Sequence, residues 1–411
     1  MPEQPSQSSD RFNRACAFLL GLHGLALVVV FPLGPQQTRL WHPGVAGIAT
    51  LVAAYPLAAV VGGLLARRLK TEPASLRALA ILAALALLPS VFSLDYPTFF
   101  GARLFGGFIA GFGLVALHRV MPAAIMPAAG RTAARIIAFG LPVCVLAATL
   151  MDWRSTFVPL LAGAVALAVV APDAPAESAD EQTAATEAAP AALVATGALA
   201  FVSSAYLTIL SGFLVRNAGH SELHITAALL TGAGLGVIMP FAVSALRQRL
   251  SSFATLGLVL AASACSLASL LVLRAPLPAA LAVTLLGCFL AINGARHVAL
   301  AGLVWPRLTE DQLPVHQTNT HLAHHAGSGI GALIAGCLIH VAPEGGLTGM
   351  GSLLGCALGA LTLVWAAGLT LSQPTASPAA RAASANTRWR VAASLVRSVR
   401  TSMTRTPGSP T

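Results

Sequence analysis

The chain is 411 residues long, 56% hydrophobic and only 9% charged, with a mean hydropathy of +0.78. A soluble chain would carry roughly 25% charged residues, so the composition excludes a soluble globular protein and points to a helical integral membrane protein whose partner is the lipid bilayer; the long apolar runs lack the alternation that a transmembrane barrel needs. The net charge of +10 suggests nucleic acid at first sight, but the bases sit in short segments between apolar runs and in the tail, so no nucleic-acid partner is expected.

The N-terminus is polar to Asp10, and Arg11 and Arg14 then precede an apolar run. No small-residue cleavage site stands out, so the first run reads as an uncleaved span. A span needs about 20 mainly apolar residues. Such runs occur at about 15–34, 44–66, 76–93, 98–118, 133–151 and 156–171, the sixth being the shortest. Between Ala171 and Pro190 the composition changes: five acids, no base, and mainly Ala, Pro and Thr elsewhere. That composition cannot bury enough apolar surface to order itself and reads as a linker. The runs resume at about 191–215, 224–246, 252–273, 279–304, 318–341 and 346–371. Starts in the second half follow those of the first by about 180 residues, drifting slightly longer for the last two, as a duplicated six-helix unit would give.

The expected fold class is therefore all-α integral membrane, with twelve transmembrane helices in two pseudo-symmetric six-helix bundles. The expected organisation is a cytoplasmic N-terminus over 1–14, a first bundle over 15–171, a linker over 172–190, a second bundle over 191–372 and a basic tail over 373–411. In the tail, Trp389, Ala392, Ala393, Val396, Val399 and Met403 recur at helical spacing. An amphipathic helix on the anionic inner leaflet and a disordered basic tail are the two readings.

Orientation follows from the bases between spans. With the N-terminus inside, Arg11, Arg14, Arg67, Arg68, Lys70, Arg77, Arg119, Arg131, Arg135, Arg247, Arg249, Arg307 and the six tail arginines are cytoplasmic; only Arg39, Arg154, Arg216 and Arg274 are outside. This predicts both termini in the cytoplasm, in a bacterial inner membrane. Six isolated cysteines in apolar runs read as small core residues, with neither a disulfide framework nor a zinc site.

Arg103 lies within the fourth span, followed by Gly106, Gly107, Gly111 and Gly113. Small residues let helices approach closely, and an arginine inside a span faces a cavity or a partner unless it snorkels to water. None of the fourteen acids falls in the middle of a span. If protons are coupled, histidine is the available carrier, because its ordinary pKa of about 6.5 lies near neutrality. His316, His321, His324 and His325 surround the start of the eleventh span. His321 and His325 are four apart and share a helix face, which makes them the candidate proton carriers. The favoured reading of the group is nonetheless polar residues at a cytoplasmic helix end, with proton relay or polar substrate contact second and, for want of an acid or cysteine ligand, a metal site last. His297, beside Arg296 and near Asn293, and His23 in the first span are candidates to line a cavity.

Several short motifs fall in order on this plan. Gly62, Gly63, Arg67 and Arg68 follow the second span, and Pro32 and Pro35 end the first. Arg103 with Gly107 opens the fourth, Arg131 precedes the fifth, and Trp153, Arg154 and Phe157 stand between the fifth and sixth. Together they resemble the major facilitator superfamily over about residues 15–371. Two departures stand out. Ala66 occupies the place of an aspartate that helps latch the two halves, and Leu141 separates Gly140 from Pro142 in what would be the antiporter signature of helix 5. The resemblance implies a cavity lined by helices 1, 4, 7 and 10. On this chain those offer His23, Arg103, Tyr206, Asn293 and Arg296, with His297 beside them.

The function implied is a secondary transporter moving a small solute by alternating access. Efflux of a lipophilic or amphipathic compound leads; a sugar, metabolite or organic-anion permease, or a facilitator without proton coupling, is the alternative. A small-molecule solute is the expected partner, joined by protons only where transport is coupled, with no cofactor and no metal. A membrane enzyme is the less favoured class, its only candidate centre being His316–His325 with Glu310 and Asp311, and no Walker loop, dinucleotide fingerprint or nucleophile motif stands in a credible context.

Overall fold

The computed structural model describes residues 7–69, 75–121, 126–171, 190–216, 221–272, 278–309, 312–341 and 347–373. The expected linker and basic tail, with Lys70, Arg274, Glu310 and Asp311, lie outside the described residues, save Pro190 and Gln373 at their edges. The first crossing is made of two helices, α1 (Gln7–Val28) and α2 (Val30–Trp41). Pro32 has no N–H to offer the Val28 carbonyl, and its ring crowds the same carbonyl, so the helix breaks at Val29. The first half continues with α3 (Gly44–Arg68), α4 (Leu76–Phe92), α5 (Tyr96–Val120), α6 (Met126–Leu150) and α7 (Phe157–Val170). The second half is α8 (Pro190–Arg216), α9 (Glu222–Arg249), α10 (Ser252–Val272), α11 (Ala279–Val304), α12 (Leu313–Val341) and α13 (Leu347–Ser372). A turn of 3-10 helix over Trp153–Thr156 extends α7 to an apolar crossing of 18 residues. The shortest described crossing is therefore α4, at 17 residues.

Two of the acids outside the spans, Asp95 and Asp152, act as helix caps. The Asp95 carboxylate accepts from the Thr98 N–H (2.8 Å) and hydroxyl (2.5 Å) at the start of α5. Those bonds hold its carboxyl below the usual carboxylate range. Asp152 caps the 3-10 turn through the Arg154 N–H, 3.3 Å away. At this end Trp41, Tyr96, Phe99, Trp153 and Phe157 pack together, the two indoles 5.1 Å apart.

Glycines set how closely the helices cross. A Cβ at Gly107 would overlap the Tyr55 carbonyl, and one at Gly111 the Ala59 carbonyl, so α3 and α5 touch backbone to backbone. In the second half Gly327 and Gly331 bring α12 onto the Gly197 and Phe201 carbonyls of α8. The pairings repeat as a duplication requires. The pairs α1 with α6, α3 with α5, and α4 with α5 recur as α8 with α12, α9 with α11, and α10 with α11.

One buried core runs from Phe12 to Ala171 and takes in Ala332 of α12; the other runs from Ala192 to Leu371. Helix α12 is the main tie between them. It packs on α8 within its own half and on α3 of the other, with Gly329 against Leu57 and Gly336 against Ala49. Helices α6 and α9 make a second tie through Val145, Ile225 and Leu229. The cysteines depart from expectation: Cys16 and Cys144 are buried, but Cys265, Cys337 and Cys356 are exposed on outward helix faces, where lipid replaces a protein core as the apolar solvent.

Candidate functional site

Arg103 of α5 is 2% exposed. Its Nη1 donates to the Ala26 carbonyl (2.6 Å), its Nη2 to the Leu27 carbonyl (3.3 Å), and the guanidinium lies 4.4 Å over the Tyr55 ring. The break at Val29 explains those partners. Ala26 and Leu27 are in the last turn of α1, where carbonyls run out of in-helix partners and carry the negative end of the helix dipole. Arg103 thus caps the broken first crossing from the side. A small cavity adjoins it, lined in part by Leu22, His23, Tyr55, Ser90, Arg103 and Phe157. His23 Nε2 and Arg103 Nε are buried there without a hydrogen-bond partner.

Arg296 of α11 is fully buried. Its Nη2 donates to the Asn293 side-chain oxygen and to the Ser203 hydroxyl of α8, the latter at 3.2 Å. Ser203 also bonds Asn293. Nε and Nη1 have no partner. The ion pairs found among the described residues, Arg14 with Asp10 and Arg154 with Asp152, involve neither buried arginine. Tyr206, three residues beyond Ser203 on α8, packs on Phe289 with its hydroxyl buried and unpaired. An uncompensated charge in such a place is costly by several kcal/mol.

The histidines of the eleventh crossing do not sit at a helix end. Helix α12 begins at Leu313, so all four lie inside it; His316 and His325 are buried, and His321 and His324 half-buried. His321 stacks on His118 of α5, with ring centroids 4.8 Å apart and planes 6° from parallel. His324 lies 5.6 Å from the His297 ring and 6.2 Å from the His325 ring. His118 Nδ1 is 3.3 Å from the Thr318 hydroxyl. Among the described residues no group of three or more His, Cys, Asp or Glu side chains is placed to hold a metal ion.

The motif expected as a loop is helical: Gly62, Gly63, Arg67 and Arg68 form the last two turns of α3. Gly62 lies against the Phe108 carbonyl and Gly63 under Leu322 of α12. Arg67 Nη1 donates to the Asn319 side-chain oxygen of α12 at 2.6 Å, from one half to the other. Ala66, standing where the resemblance has an aspartate, offers its carbonyl to Arg119 Nη2 at 3.2 Å. Arg68 is exposed.

The candidate residues thus fall into three groups: His23 with Arg103; Asn293 with Arg296, Tyr206 lying one turn on along α8; and His297, His321 and His325 joined through His118 and His324. Sequence reasoning missed Tyr55, Ser203 and His118. Ser203 was legible, standing one turn from Tyr206 on the same face. His118 ends the fourth apolar run beside Arg119, but its partner is 203 positions away and no local pattern joins them.

No protein-family model matches the chain, and no curated protein matches it. Solved structures do. A bacterial homologue of the human lysosomal transporter Spinster, in an inward-facing and occupied conformation, superposes with a TM-score of 0.56 at 12% identity, covering 90% of this chain and 95% of that one. A mutant of the nucleoside transporter NupG superposes with a TM-score of 0.59 at 14% identity, covering 88% and 100%. The chain has the fold of these major facilitator-type membrane transporters.

Proposed function

We propose that this protein is a secondary transporter that moves a small amphipathic organic anion across the membrane by alternating access. The observation that carries the reading is Arg296: a fully buried guanidinium that, among the described residues, has Nε and Nη1 unpaired and no carboxylate bonded to it. A charge held at that cost suits a site whose counter-ion is the cargo. Asn293, Ser203 and Tyr206 add polar groups, and the apolar helix faces around them suit the lipophilic part of the solute. His297, the next residue after Arg296 on α11, belongs to the same proposed site, whereas His23 and Arg103 line a small cavity formed by first-half residues. The arginine-rich end, where Arg67 meets Asn319, is the cytoplasmic face of an inner membrane in this reading, with both termini on that side and the cargo expelled outward. We assign the chain no catalysed reaction. The two solved neighbours support the reading by being transporters.

The test is counterflow in proteoliposomes with amphipathic carboxylic acids and their neutral methyl esters. Acids are expected to move and esters not, and Arg296→Gln should slow the acids by about tenfold or more, the equivalent of losing one buried charged contact. Equal movement of acid and ester overturns the anion assignment. No movement of any solute overturns the transporter reading.

A further inference from the structure

We propose that the stacked His118–His321 pair is a proton-binding site that keeps the arginine-rich ends of the two halves together while neutral and parts them when both rings are charged. The two rings come from different halves, His118 from α5 and His321 from α12, and lie almost parallel at 4.8 Å. Such a stack accommodates two neutral imidazoles, or one neutral and one charged. Two imidazolium rings at that separation repel. Each ring also has a buried nitrogen with no hydrogen-bond partner, Nε2 of His118 and Nδ1 of His321, so each has an unused site at which a proton is gained or lost.

Among the described residues, the surroundings offer nothing to neutralise a second proton. From α1 comes His23, and along α12 itself His316, His324 and His325. From α11 comes His297, which meets the cluster through His324. From α3 come Arg67, bonded to Asn319, and the exposed Arg68. Beside His118 on α5 stands Arg119, bonded to the Ala66 carbonyl. Every one of these titratable neighbours is neutral or cationic, and among the described residues no carboxylate is bonded to either histidine. Histidine ordinarily titrates between about pH 5 and 8.

The pair is also placed where repulsion does mechanical work. Thr318 and Asn319, on the turn of α12 just before His321, are the residues that bond His118 and Arg67 of the first half. Farther along the same helix, Gly329 and Gly336 keep α12 close on α3. Charge at one end thus acts against a long packed seam, which serves as the pivot. His325, the other carrier expected from the sequence, lies with its ring 6.2 Å from that of His324 and belongs to the same cluster.

The proposal does not depend on which solute moves, so its test omits solute. A ketone-bearing amino acid is placed at each of positions 77 and 249, both exposed in helix-end turns on this face, and spin-labelled, leaving all six cysteines intact. Pulsed dipolar distances are then read in lipid nanodiscs at pH 8 and pH 5. The protein is expected to gain a longer-distance population at pH 5. His118→Phe, which keeps a ring in the stack but takes no proton, and His321→Gln should each lose that population. Unchanged distances in the protein with both histidines overturn the proposal, and do so even where a variant fails to fold. The same shift persisting in either variant overturns it too.

Discussion

Arg103 and Arg296 stand on corresponding helices of the two halves, and both are buried, but their surroundings differ. Arg103 meets the end of a broken helix, whose exposed carbonyls and dipole supply the negative character that a carboxylate would. It has a tyrosine face as well. Arg296 meets an unbroken helix, one serine and one asparagine, and keeps two N–H groups unpaired. The lesson is that burial alone does not mark a ligand site. A buried cation whose partners come from the fold is a structural clasp; one whose partners are incomplete has capacity left for something else.

Three variants sharpen that contrast. Arg103→Met should destabilise most, by about 2–5 kcal/mol, because it strands two buried carbonyls that the fold supplies for it. The measurement is chemical or thermal unfolding in detergent. Arg296→Met should move the other way and stabilise by about 1–4 kcal/mol, since replacing a poorly compensated buried charge with an apolar chain of similar length removes a desolvation cost. A loss of stability on Arg296→Met equal to that on Arg103→Met would break the comparison. Tyr55→Leu should have the smallest effect, about 1–2 kcal/mol from the cation–π contact. In a double-mutant cycle the loss should vanish once Arg103 is already methionine.

Much of the architecture was legible in the sequence because lipid imposes it: apolar runs of membrane length follow from the need to satisfy every backbone group inside the span. Eleven described helices are long and apolar enough to cross, and Leu76–Phe92 makes the shorter twelfth. The break at Val29 was signalled by Pro32, but what fills the break was not, because Arg103 approaches from 76 positions away. The sites were less legible for the same reason. Arg296 with Asn293 is a local pair, one helical turn apart, and was found. Ser203, and the pairing of His118 with His321, depend on which faces two distant helices turn toward one another. The histidines of α12 were read as a helix end because their polarity interrupts the apolar pattern; the helix in fact begins five residues earlier than the apolar run, and the cluster is inside.

The aromatic group at the opposite end has a use of its own. Trp41 closes α2 and Trp153 opens the turn before α7, and their indoles stand 5.1 Å apart at 78°. Two indoles so close share their excited states, so this end of the molecule carries its own optical signature in the near-ultraviolet. The coupling dies away steeply with distance. A spectrum of the unlabelled protein therefore follows any parting of α2 from α7, and does so at the face that the histidine pair does not reach.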